Sequence, residues 1–158
     1  MPFADELRVA LGGRPRVLAW ALTDDGVVAG LPDGLAQRTP DGWTITRWDD
    51  IDHGRFERES TTLSWSTSDG GTHTAALSDP GRLPELFHER VEASIVAQLP
   101  VTWDGGRATL VARRNPGHDD AALRWRVVAA PGTALDAPEA DRAIADALRF
   151  AIQEWDVA

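Results

Sequence analysis

The chain has 158 residues, 42% of them hydrophobic and 26% charged, which is long enough to bury the core of one soluble domain without covalent staples. It contains no cysteine, which excludes disulfides, thiolate nucleophiles and cysteine-based zinc sites. All 16 basic residues are arginine and the formal net charge is −9, a balance that repels phosphate backbones and anionic membranes at long range.

The first residues carry Asp5 and Glu6 where a secretory signal would carry positive charge, and no apolar core follows them. No run approaches the roughly 20 apolar residues that span a bilayer. The expected setting is the cytoplasm.

Phe3, Leu7, Ala10 and Leu11 share one helical face, and Gly12-Gly13 end it. Val17 to Leu22 is a continuous apolar run that predicts a buried strand. Asp25-Gly26 turns the chain into Val27-Val28-Ala29. Pro32-Asp33-Gly34 and Pro40-Asp41-Gly42 mark two further turns, because proline presets φ and glycine accepts positive φ. They predict a strand over Leu35 to Arg38 and another from Trp43 to Trp48. Asp52 to Glu59 predicts an exposed strand of alternating charge. Thr61 to Thr67 and Thr72 to Ser78 flank a turn at Ser68 to Gly71. A helix is expected from Leu83 to Gln98, with Pro84 in its first turn and Leu83, Leu86, Phe87, Val91 and Ile95 on one face. Leu99 to Trp103 then reads as a short apolar connection.

A second block follows. Ala108 to Arg113 and Leu123 to Val128 predict a β-hairpin. Asp136-Ala137-Pro138-Glu139 has the spacing of a capping box, and Ile144, Ala147, Leu148, Ala151 and Trp155 form the stripe of a last helix. Two strands and a helix bury too little to fold alone, so residues 1–158 are expected to form one structural unit.

About seven short strands followed by a helix resemble a pleckstrin-homology-like barrel. Trp43-x-Ile45-x-x-Trp48-Asp49-Asp50-Ile51 is similar to its bacterial version, in which a tryptophan and an aliphatic residue pin a strand before the barrel corner. Arg82-Leu83-Pro84-Glu85-Leu86, Arg90-Val91-x-Ala93-Ser94-Ile95 and Val111 to Arg114 also resemble a group of uncharacterised proteins from GC-rich, actinobacterial-type genomes. The resemblance covers the chain from residue 16 onward. It implies an α+β fold: an antiparallel β-barrel closed by a helix over residues 14–99, extended by a β-hairpin and C-terminal helix over 100–158. It implies no particular activity. Barrels of this kind bind phosphoinositides, peptides or proteins. Lipid-binding versions carry a basic hairpin near the first strands, whereas Thr23-Asp24-Asp25-Gly26 is acidic here, so lipid binding is not expected.

Signatures of catalysis are missing. His88-Glu89-Arg90-Val91-Glu92 approaches the zinc-protease helix motif, but Glu92 stands where a second histidine is needed. The plainer reading is a charge pair on a helix surface. His53, His73 and His118 are scattered. Asp24-Asp25, Asp49-Asp50 and Asp119-Asp120 read as solvated turn residues, because adjacent strand residues point to opposite faces. The chain shows no nucleophile elbow and no phosphate-binding loop. No cofactor and no metal are expected.

Two sets of residues remain. Arg113, Arg114, Arg124 and Arg126 fall on the predicted hairpin, with Arg124 and Arg126 on one face. They are candidates for holding a carboxylate, a phosphate or an acidic segment. Ion pairing with Glu89, Glu92, Asp141 or Asp146 is the simpler alternative. Of the seven tryptophans, Trp20, Trp65 and Trp125 lie within apolar runs and read as core, and packing of the C-terminal block on the barrel is the plainer reading for most of the rest. Trp48, Trp103, Trp125 and Trp155 are candidate anchors for a partner, with a homodimer expected through Trp125 and Trp155. The reading is thus a non-enzymatic module for protein binding or self-association, with small-anion binding by the arginine hairpin as the alternative.

Overall fold

The structure, a computed structural model, describes residues 2–117 and 122–155. His118 and the Asp119-Asp120 pair lie outside the described residues. The chain is α+β and divides into two compact units. One runs to Ser94 and takes in Asn115 to Gly117; the other starts at Ile95 and takes in the rest of the described chain.

The first unit opens with α1 (Ala4–Leu11), which ends where Gly12 adopts φ 73°, a left-handed conformation that glycine reaches without steric cost. Four strands follow as an antiparallel meander: β1 (Ala19–Leu22), β2 (Val27–Gly30), β3 (Gly34–Thr39) and β4 (Gly42–Arg47). A single 3-10 turn, Trp48–Asp50, takes the chain round a corner. A second meander then runs through β5 (Ile51–Glu57), β6 (Thr62–Thr67) and β7 (Thr72–Ala76). Just past β7, Ser78 bridges to Leu22 of β1, and its N–H donates to the Leu22 carbonyl at 2.7 Å. This joins the meanders into a curled seven-stranded half-barrel.

α2 (Leu83–Ala93) packs against β1, β2, β5 and the 3-10 turn. Its Leu83 and Phe87 enter a core with Val28, Leu35, Trp48, Ile51, Leu63 and Trp65. On the opposite side of β2, Phe3 and Leu7 of α1 pack with Val27, Ala29, Leu31 and Ala36. β2 is therefore buried on both sides, as its apolar sequence requires. The run from Val17 to Leu22 is not the buried strand expected. Ala21 is buried, but Trp20 and Leu22 are 39% and 41% exposed. Trp20 meets Phe3 edge to face, with ring centroids 5.3 Å apart.

The second unit is a three-stranded antiparallel sheet of β8 (Ile95–Trp103), β9 (Gly106–Arg113) and β10 (Arg124–Ala129), in the order β10-β9-β8. α3 (Pro138–Trp155) packs on β8 and β9 through Ala140 and Ala151. β8 corrects the sequence reading. The helix stops at Ala93, and the stretch expected to finish it and connect onward is a nine-residue strand. Asp104-Gly105 makes a two-residue hairpin turn that pairs Trp103 with Gly106 and Leu99 with Leu110. That pairing outweighs the helical spacing of Ile95. Pro100 is tolerated because β8 is an edge strand of its sheet.

Among the described residues, no helix is long and apolar enough to cross a membrane.

Candidate functional site

A concavity of about 710 Å³ lies within the first unit, between β5 and the first turns of α2. Its floor is apolar: Phe56 and Leu63 from the sheet, Phe87 and Val91 from the helix, Pro80 and Pro84 at its entry. Its rim is charged, with Arg55 and Arg58 on the strand side and Glu85 and His88 on the helix side.

Gly54 sets the depth of the groove. A Cβ on Gly54 would stand 2.0 Å from Cε1 of Phe87 and 2.6 Å from its Cζ. The helix comes this close to the strand because residue 54 has no side chain. Phe87 is held from behind by Trp48, edge-on at 5.8 Å, and by Trp65, tilted at 6.2 Å.

Among the described residues β5 is an end strand of the curled sheet, with β6 as its strand neighbour. In an antiparallel edge strand, alternate residues turn their N–H and C=O away from the paired neighbour. Along Gly54 to Glu57 this leaves backbone groups available beside an apolar groove.

The candidate tryptophans are placed differently from one another. Trp48 is fully buried, and its indole N–H donates to the Leu31 carbonyl at 2.8 Å. It is a core residue at the corner between β4 and β5, beside the buried Ile51, and presents nothing to a partner. Trp103 and Trp125 are half-buried, and Trp155 is 48% exposed in the last turn of α3, a helix that also exposes Phe150 and Ile152.

The arginines are also divided. Arg113 and Arg124 are register partners and Arg126 lies opposite Val111, so Arg113, Arg124 and Arg126 share a face. Arg124 and Arg126 are exposed as expected, but Arg113 is buried and Arg114 half-buried. Each of the four takes part in interactions within the chain, so none is a free cation. Of their expected acidic partners, Glu92 pairs with His88 at 3.2 Å and Asp146 with Arg149 at 3.5 Å. The first of these is the helix-surface pair read from the sequence.

Asp49 is not the solvated turn residue expected. Its buried carboxylate accepts from Nε and Nη2 of Arg47, both at 3.0 Å, because the 3-10 turn folds it back against the end of β4. Asp69 sits at the β6–β7 turn, where it accepts from the Thr67 hydroxyl and from the Gly71 N–H at 2.9 Å. These bonds hold its carboxyl below the ordinary carboxylate value.

The sequence reading missed Gly54, Arg55, Arg58 and His88 as members of one site. The signal was Gly54 itself, a glycine inside a strand, which marks a close approach by another element.

Comparison with known proteins finds no match among family models, curated proteins or solved structures.

Proposed function

We propose that this chain is a non-enzymatic protein-interaction module that holds an extended segment of a partner protein in the groove between β5 and α2. One observation carries the reading: along Gly54 to Glu57, an end strand with no second strand neighbour among the described residues runs beside an apolar-floored groove. An extended peptide placed there gains backbone hydrogen bonds from the edge and a pocket for alternate side chains, the mode known as strand addition. The element order supports it. Four strands, three strands and a closing helix are what the resemblance to pleckstrin-homology-like barrels implies, and such barrels serve as binding modules. The cytoplasm is the expected setting.

The test is selection of extended peptides from a displayed random library on the full chain. Enriched peptides are then measured against Glu85→Trp, which fills the groove from an exposed helix position. The reading expects enriched peptides whose binding that variant abolishes. A library that yields no binder, or binders indifferent to the variant, overturns it.

A further inference from the structure

The charges round the groove are matched on the helix and unmatched on the strand. Glu85 lies 3.9 Å from Arg82, and His88 lies 3.2 Å from Glu92. Arg55 and Arg58 are exposed and line the groove, and neither side chain has an ion-pair or hydrogen-bond partner among the described residues. Their sequence neighbours Glu57 and Glu59 do not line the groove and pair with neither. Two arginines whose side chains are unpaired among the described residues thus lie along the β5 side of the groove, on a chain of net charge −9, and give that side an excess of positive charge. Such an excess steers an anionic partner to one place and rejects cationic ones.

We propose that the occupant of the groove is an acidic extended peptide segment, with an apolar side chain on the Phe56–Phe87 floor and carboxylates against Arg55 and Arg58. The inference rests on the groove reading above and adds the chemistry of the partner. Strand geometry makes the two demands compatible. Side chains alternate at about 3.3 Å per residue, so an apolar residue turned to the floor is flanked by residues available to the rim. An anionic membrane surface shares the charge but fits less well. It is flat, and the acidic surface around the groove opposes its approach.

The experiment uses the full chain and labelled peptides of about ten residues, the length of a long strand. Each carries a central Leu or Phe flanked by Glu, by Ser or by Lys. Fluorescence anisotropy is read at low and at high salt, against the parent protein and against Arg55→Glu/Arg58→Glu. Both positions are exposed, so circular dichroism of the variant is expected to match the parent. The inference expects the Glu-flanked peptides to bind at least about tenfold more tightly than the Lys-flanked ones at low salt, with the gap narrowing as salt rises. In the double variant the preference reverses in favour of Lys. Equal binding of all three peptides, displaced by Glu85→Trp, overturns the acidic preference and leaves the groove reading standing. Absence of binding by every peptide overturns both. Sedimentation with phosphatidylserine vesicles that needs Arg55 and Arg58, without peptide binding, also overturns both and assigns the two arginines to a membrane.

Discussion

Gly54 and Phe87 occupy the same place: the ring of Phe87 stands 2.0 Å from where a Cβ on Gly54 would be. A strand position without a side chain and a helix position with an aromatic one together fix how far α2 sits from β5. That spacing makes the groove.

Gly54→Ala therefore forces a buried ring to move, with Trp48 and Trp65 behind it. Overpacking of this kind costs about 1–3 kcal/mol. Phe87→Leu, which leaves a smaller side chain, is also destabilising because it empties core volume. The two changes are expected to compensate in part, so that Gly54→Ala/Phe87→Leu loses less than the two single losses added together. Urea denaturation of the four proteins measures this. Strict additivity would mean that the contact does not set the spacing.

Trp48 is expected to matter for stability rather than for binding. Trp48→Ala removes a fully buried indole and is expected to cost about 3–5 kcal/mol. Trp48→Phe keeps a ring but deletes the hydrogen bond to the Leu31 carbonyl, at a cost of about 1–3 kcal/mol. A thermal midpoint unchanged in Trp48→Phe would contradict this placement.

The distribution of legible and illegible features has physical causes. Turns were readable because their chemistry is local: Pro32-Asp33-Gly34 and Pro40-Asp41-Gly42 separate β2, β3 and β4, with Gly42 at the positive φ expected, 117°, whereas Gly34 instead lets β4 approach, since a Cβ there would stand 2.7 Å from the Thr46 carbonyl oxygen. The strand expected from Trp43 to Trp48 ends at the 3-10 turn Trp48–Asp50. The end of α2 was misread because Ile95 repeats the helical spacing of Leu83, Phe87 and Val91. What ends the helix is the pairing of β8 with β9, and the Asp104-Gly105 hairpin signal was already in the chain. Arg113 looked like a surface cation because periodicity shows which face a residue shares, not what covers that face. The groove was least legible, since Gly54 and Phe87 come from elements whose approach no single segment encodes.

Acid titration of stability should carry a contribution from Asp69. Its carboxyl lies below the ordinary value of 3.8 because it accepts from Thr67 and Gly71. A depressed native pKa means that the unfolded chain binds the proton more readily. The stabilisation is complete above about pH 3.8 and is lost as pH falls through the lower native value. Asp69→Asn keeps an acceptor oxygen and does not titrate. Its urea midpoint should fall less steeply with acid than that of the parent, and identical slopes would contradict the assignment.

Self-association is expected through the end of α3, where Phe150, Ile152 and Trp155 are 62%, 42% and 48% exposed. Light scattering at rising concentration should give a mass above the 17.1 kDa of one chain, and Trp155→Ala should lower it. A mass of one chain throughout would count against a homodimer.

The central claim is that a partner segment adds to β5 beside α2. Backbone amide hydrogen exchange tests it most directly, on the full chain with and without a peptide selected to bind it. Strand addition places new hydrogen bonds on outward-facing groups of β5, so amides among Gly54 to Glu57 should exchange at least about tenfold more slowly in the complex, while those of β10 stay unchanged. Unchanged exchange along β5, with protection appearing on β10 or α3 instead, would contradict the account.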